Sequence, residues 1–316
     1  MKAGVIGAGY WGKKVVEEYT LLGIDTTVAD LSRENLKACA DRYKDKIKTT
    51  SDYKDILKDK NIRYVNICTP NETHYSIGKD CIHAGKNVLI EKPLATKVEH
   101  CVELAELARE KNVLLMVGHI FRFNNAIRKV KEMIDNRSFG DIEIIKLRWT
   151  NIEQPFADRD VILDLAPHSF DIINYLTGKV PTEISCIGSA YRREKGAEAV
   201  FINCRIDRTI INLELSWMTP KKTRYVEVIG SKKSAFIDCT NQKIEIYEND
   251  GFKYLNIIPN NTIQSELINF INSAETKTAS DASSDIGIIV QKLIKATQES
   301  LDGKKTIILD TMSKQE

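Results

Sequence analysis

Long apolar runs are missing from this 316-residue sequence. No stretch approaches the ~20 residues needed to cross a bilayer, and the chain opens on what reads as a strand rather than a cleavable leader. An excess of charge of either sign is missing too. Forty-six basic and 44 acidic residues leave a formal +2, and the lysine pairs Lys221-Lys222, Lys232-Lys233 and Lys304-Lys305 are scattered. Neither nucleic acid nor a membrane surface is therefore expected as a partner. The seven cysteines, at 39, 68, 81, 101, 186, 204 and 239, never fall into C-x-x-C spacing. This argues against a zinc site and a disulfide framework. Reduced, mostly buried thiols in a cytoplasmic protein without a bound metal are the expectation. There is no repeat of roughly 20–50 residues and no low-complexity tract. The length suffices for two domains, each with its own core.

The first third alternates strand and helix signals. Lys2-Ala3-Gly4-Val5-Ile6 reads as a buried parallel strand. Gly7-Ala8-Gly9-Tyr10-Trp11-Gly12 follows, and then a helix from about Lys13 to Leu22. A G-x-G-x-x-G pattern carries weight here because it leaves a strand and enters a helix. Gly7 permits the tight turn, Gly9 lets a pyrophosphate approach the backbone, and Gly12 lets helix and strand pack closely. The helix N-terminus then offers N–H groups to phosphates. Ile24–Ala29 is the next strand, ending at Asp30, about 20 positions beyond the glycines. That carboxylate is placed to accept from the adenosine ribose hydroxyls and to repel a 2′-phosphate, so NAD is favoured over NADP. Arg33 could swing to such a phosphate, and Asp30 could instead cap the helix near Ser32. Further strands are expected at Lys46–Thr49, Tyr64–Cys68, Asn87–Ile90 and Val113–Val117. Helices are expected at Ser32–Tyr43, Asn71–Ala84 and Val98–Lys111. Six strands with intervening helices imply an α/β fold with a doubly wound parallel sheet.

Ligands in such sheets bind beyond the carboxyl ends of the strands. Thr69-Pro70-Asn71-Glu72-Thr73-His74 leaves one strand end, although turn and cap chemistry accounts for much of it. Glu91-Lys92-Pro93 leaves another, where the lysine is either a solvated loop residue or a cation placed to steady an alkoxide as hydride departs. After Gly118 the alternation stops. A helix over Asn124–Asn136, a strand over Ile142–Thr150 and successive strands from Glu183 to Tyr247 suit an antiparallel sheet packed on helices. In one of them Ile211, Leu213, Leu215 and Trp217 share a face. Arg122, near the expected domain junction, is open to two readings: a partner for an anionic substrate group, or a structural salt bridge.

Between these strands lies Asp164-Leu165-Ala166-Pro167-His168-Ser169-Phe170-Asp171, within a helix expected from about Val161 to Leu176 and closed by Gly178. Helical spacing puts Asp164, His168 and Asp171 on one face, a plausible proton-transfer device. The alternative makes Asp164 an N-cap, Pro167 a first-turn residue and His168 a packed surface histidine.

Five motifs in register resemble the glucose–fructose oxidoreductase/inositol dehydrogenase family of NAD(P)-dependent oxidoreductases. They are Gly7-Ala8-Gly9-Tyr10-Trp11-Gly12; Thr69-Pro70-Asn71 with His74; Glu91-Lys92-Pro93; Gly118-His119 with Arg122-Phe123-Asn124; and Asp164-x-x-x-His168-x-x-Asp171. The resemblance implies an NAD-binding Rossmann domain over 1–120, whose cofactor groove takes in Gly7, Gly9, Tyr10, Trp11, Gly12, Asp30, Arg33, Thr69, Pro70, Asn71, His74, Glu91 and Lys92. An α+β substrate-binding domain over 121–316 follows, with a large, mainly antiparallel open sheet through which a homodimer or homotetramer forms. Lys92, Asp164 and His168 are the implied catalytic residues, with Arg122 added for substrate. Lys92 would hold the reacting hydroxyl, His168 would exchange its proton and Asp164 would orient the sugar; the bond before Pro93 is commonly cis. Ala166 stands where many members have glycine. The Gly-His-Ile-x-Arg-Phe-Asn wording and Ala157–Val161 look most like the branch that oxidises C3 of UDP-N-acetyl amino sugars. Free-sugar or inositol oxidation is the neighbouring expectation. A non-catalytic dinucleotide-binding regulator is disfavoured because Lys92 and His168 are both present.

Overall fold

The computed structural model describes residues 1–248 and 251–309. They fall into two compact units, one of Met1–Ile120 with Asn261–Gln291 and the other of Phe121–Asn260 with Lys292–Glu316. The first unit is built from β1 (Lys2–Ile6), α1 (Tyr10–Leu21), β2 (Asp25–Ala29), α2 (Arg33–Tyr43), β3 (Ile47–Thr50), α3 (Lys54–Lys58), β4 (Ile62–Ile67), α4 (His74–His83), β5 (Asn87–Glu91), α5 (Val98–Glu110) and β6 (Leu115–Gly118). All six strands are parallel, in the order β3-β2-β1-β4-β5-β6. β1 explains its own placement: four of its five residues are buried, as a strand covered on both faces requires. The strand order reverses at β1 and β4, so the connections leaving their carboxyl ends run to opposite sides and open a crevice there.

The second unit contains α6 (Asn125–Asp135), β7 (Ile142–Ile152), α7 (Val161–Thr177), β8 (Glu183–Ser189), β9 (Ala199–Ile206), β10 (Thr209–Ser216), β11 (Met218–Gly230), β12 (Ser234–Asp238), β13 (Lys243–Glu248) and β14 (Gly251–Leu255). After α8 (Thr262–Thr276) and α9 (Ser284–Gly303), β15 (Ile307–Ile308) closes a nine-stranded sheet in the order β14-β13-β12-β11-β7-β10-β9-β8-β15. Every pairing is antiparallel except β7 with β10. Ile211, Leu213, Leu215 and Trp217 are fully buried on one face, while Ile210 on the other is half exposed.

Two differences from the expected organisation have physical causes. Residues 261–291 belong with the first unit, not with an unbroken second domain. Asn261, the N-cap of α8, donates through Nδ2 to Glu18 of α1 (2.7 Å), and Phe270 meets the Tyr64 ring edge-on at 6.0 Å. The helix after the glycine loop starts at Tyr10 rather than Lys13, directly on the N-cap Gly9.

Candidate active site

The glycine loop divides its work as the sequence pattern anticipates. Gly7 has φ +93°, and a Cβ there would lie 2.7 Å from the Cys68 carbonyl oxygen. A Cβ on Gly12 would lie 1.9 Å from the Gly7 carbonyl oxygen, so only glycine lets α1 start this close to its own loop. Gly9 is different: nothing stands within 4 Å of its missing Cβ. That open side meets a cavity of about 530 Å³ lined by Gly7, Gly9, Asp30, Thr69 and Pro70 among others. No side chain caps α1, leaving its N-terminal turn available to an anion. Asp30 Oδ2 accepts from Ala8 N (2.6 Å) and Oδ1 from Ser32 N (2.7 Å), which ties the carboxylate at the end of β2 to the glycine loop. The cap of α2 is Ser32, not Asp30. Arg33 opens α2 and is exposed, as is Tyr10, whose ring carries the Lys14 ammonium 4.4 Å from its centroid. An open phosphate approach, an uncapped helix start and a carboxylate at the ribose end fit a dinucleotide.

Thr69 and Pro70 line the same cavity, and Asn71 opens a short 3-10 turn over 71–73. His74 stands just behind that lining. It is fully buried, with Nδ1 2.8 Å from the Pro93 carbonyl oxygen and Nε2 2.9 Å from that of Thr69. Burial, opposed by these two carbonyls, lowers its pKa. The peptide between Lys92 and Pro93 is cis. Glu91, at the end of β5, accepts from the indole Nε1 of Trp11, and its carboxylate fills the space a Cβ on Gly118 would take, 2.8 Å away. Burial pushes the Glu91 carboxyl up to about 7, against the pull of the Lys92 ammonium and the indole. Trp11 therefore links the phosphate loop to the strand end that carries Lys92.

In the second unit α7 supplies Asp164 and His168. Its N-cap is Asp160, whose Oδ1 accepts from Leu163 N at 2.9 Å, so capping no longer explains Asp164. Pro167 lies inside the helix rather than in its first turn, and Gly178 ends it in the left-handed conformation. Asp164 Oδ2 accepts from Trp217 Nε1 (3.2 Å), and its Oδ1 lies 3.4 Å from Arg159 Nε. The Arg159 guanidinium stacks 3.8 Å from the Phe156 centroid, and Phe156 in turn meets Trp217 at 5.4 Å. Arg193 pins this loop by donating to the carbonyls of Phe156 and Arg159 (3.0 and 2.8 Å). The His168 ring packs edge-on to Phe121, centroids 5.3 Å apart. Asp164 is thus held in an aromatic and cationic wall, with Phe156 and Arg159 from the loop just before α7 and Trp217 from 53 residues further on. The sequence places Trp217 only on an apolar strand face and does not mark Phe156 at all.

Arg122 is placed differently from its expected substrate role. Its Nε donates to Asp171 Oδ1 at 2.5 Å and an η-nitrogen to Asn174 Oδ1 at 2.8 Å, and both charged side chains are almost wholly buried. The ion pair with Asp171 braces α7 against the segment before α6, as the structural reading of Arg122 expects. Among the described residues no group of three or more His, Cys, Asp or Glu side chains could hold a metal, and all seven cysteines are free thiols. No helix among them is long and apolar enough to cross a membrane.

A parallel six-stranded sheet, a glycine loop with an open phosphate approach and a carboxylate at the second strand define a dinucleotide-binding protein. The chain belongs to the GFO/IDH/MocA family: residues 1–119 match its oxidoreductase, NAD-binding Rossmann-fold profile, and residues 127–236 match its C-terminal-domain profile. It is 27% identical to the UDP-N-acetylglucosamine 3-dehydrogenase of Acidithiobacillus ferrooxidans over 78% of this chain and 77% of that one. It is 24% identical to the myo-inositol 2-dehydrogenase of Thermotoga maritima over 98% and 99% of the two chains. In fold it superimposes on the structure of that UDP-N-acetylglucosamine 3-dehydrogenase with a TM-score of 0.86, at 23% identity over 96% and 98% of the chains. A levoglucosan dehydrogenase in complex with NADH and levoglucosan gives 0.88, at 20% identity over 98% and 100%. The cofactor is a nicotinamide dinucleotide.

Proposed function

We propose that this oxidoreductase oxidises a secondary alcohol of a pyranose, the 3-hydroxyl of a UDP-N-acetyl amino sugar, passing the hydride of carbon 3 to NAD. The bound dinucleotide supplies the hydride acceptor. Lys92 donates a hydrogen bond to the reacting oxygen and steadies its developing negative charge. His168 takes the hydroxyl proton. Asp164, its carboxylate oriented by Trp217 and Arg159, accepts from a neighbouring sugar hydroxyl. The observation that carries this reading is the pairing of Asp164 and His168 one turn apart on α7, with Asp160 doing the capping. The relatives named above act on polyols and sugars by their names, which supports the substrate class; the 27% identity to a UDP-N-acetylglucosamine 3-dehydrogenase favours that sugar. A panel of UDP-sugars, free sugars and inositols, read by NADH absorbance, tests it. Turnover confined to inositols would replace the nucleotide sugar with the alternative substrate.

NAD is preferred over NADP because a 2′-phosphate would meet the Asp30 carboxylate as a like charge. Self-association through the open sheet is part of the proposal. Ile187, Phe201 and Ile210 on β8, β9 and β10 are 67%, 47% and 48% exposed on a mixed face, among Asn203, Arg205, Asn212 and Glu214, that a second copy would cover. Light scattering of the purified protein reads the oligomeric state directly; a monomer removes this element.

A further inference from the structure

We infer that His74 is a positioning residue for Lys92: with Nδ1 2.8 Å from the Pro93 carbonyl and Nε2 2.9 Å from the Thr69 carbonyl, it fixes the loop that presents the lysine by donating from Nδ1 to Pro93. This rests on the proposed role of Lys92. The geometry is unusual for a packed core histidine. His74 is the first residue of α4, it is fully buried, and it sets both nitrogens against backbone carbonyls at two different strand mouths. One nitrogen faces the residue after Lys92, and the other faces the residue that opens the Thr69-Pro70-Asn71 turn along the cofactor cavity. On the far side, Glu91 is fixed by the Trp11 indole, so the residues on both sides of Lys92 are anchored.

Carbonyl oxygens only accept, so a ring with one proton donates to one of them and a doubly protonated ring to both. With one proton the ring holds the Pro93 carbonyl through Nδ1–H or the Thr69 carbonyl through Nε2–H, and only the doubly protonated ring joins both loops. Releasing the Pro93 carbonyl frees the peptide next to Lys92. A misplacement of about 1 Å at a reacting group costs on the order of 10²-fold in rate.

The test reads Lys92 itself as well as turnover. In NADH-bound protein with its lysines reductively ¹³C-methylated, the Lys92 signal is assigned by its loss in Lys92→Ala. It should stand apart from the surface lysines, and in His74→Ala it should move into their envelope. His74→Gln, which keeps one donor, should give an intermediate shift and carries the test if the alanine variant does not fold. With UDP-N-acetylglucosamine and NAD, His74→Ala should lower kcat by roughly 10²-fold while KM changes far less. A Lys92 signal unmoved in folded, NADH-binding His74 variants overturns the inference. If instead Lys92→Ala turns over like the parent, the role of the lysine fails, whatever the signal does.

Discussion

Replacing Glu91 by Gln should stabilise the protein at pH 8 and leave its stability unchanged near pH 4.5. The Glu91 carboxyl ordinarily titrates at 4.5 and is pushed up to about 7 in the folded chain, chiefly by burial. At ~1.4 kcal/mol for each pH unit, holding the charged form costs on the order of 3 kcal/mol. The folded state binds the proton more tightly than the unfolded one. The favourable contribution is therefore complete below pH 4.5, declines as the unfolded chain loses its proton, and is gone above about pH 7. Glutamine has the same shape, accepts from the Trp11 indole and fits beside Gly118, but does not titrate. The variant should gain up to roughly 3 kcal/mol over the parent between pH 4.5 and 7, or about 6–12 °C in midpoint for a unit of this size. Thermal melts of both proteins at pH 4.5 and pH 8, followed by circular dichroism, read this directly. An equal difference at both values, or a parent more stable at pH 8, would refute the argument. A charge kept at such a cost next to Lys92 is what a working site tolerates and a core does not.

Other expectations follow from individual contacts. Arg122→Ala leaves Asp171 charged and buried, so it should cost roughly 3–5 kcal/mol of stability by denaturant titration; a loss confined to substrate KM would restore the substrate role. Asp30→Ala should raise the KM for NAD and narrow the discrimination against NADP, and an unchanged cofactor ratio would remove the ribose contact. In His168→Asn the rise of the oxidation rate with pH should flatten, whereas a parent-like profile would point to another base.

The parallel sheet was legible in β1, β5 and β6, which are buried and read as apolar runs, whereas β3 (Ile47–Thr50), at the sheet edge and largely exposed, gives only a weak signal. The glycine loop was legible because the strand before it and the helix after it are both local signals. The Asp164–His168 pair was also local, one helical turn. What surrounds the pair was not: Trp217 is 53 residues away from Asp164, and their meeting depends on the long-range pairing of β10 with β7. Arg122 shows the same limit, since a buried ion pair across 49 residues and a substrate-binding arginine look alike in sequence. His74 falls in a turn rich in polar residues, and spacing cannot say which of them faces inward. The helix Thr262–Thr276 was not among the helices expected from the sequence, and nothing local reveals that it packs with α1.

The central claim is a hydride leaving carbon 3 of a UDP-N-acetyl amino sugar. UDP-N-acetylglucosamine deuterated at carbon 3, incubated with the enzyme and NAD, tests it most directly. The account predicts deuterium in the NADH formed, together with a slower rate than the unlabelled sugar. Reduced cofactor formed without deuterium, or no reduction at all, would contradict it.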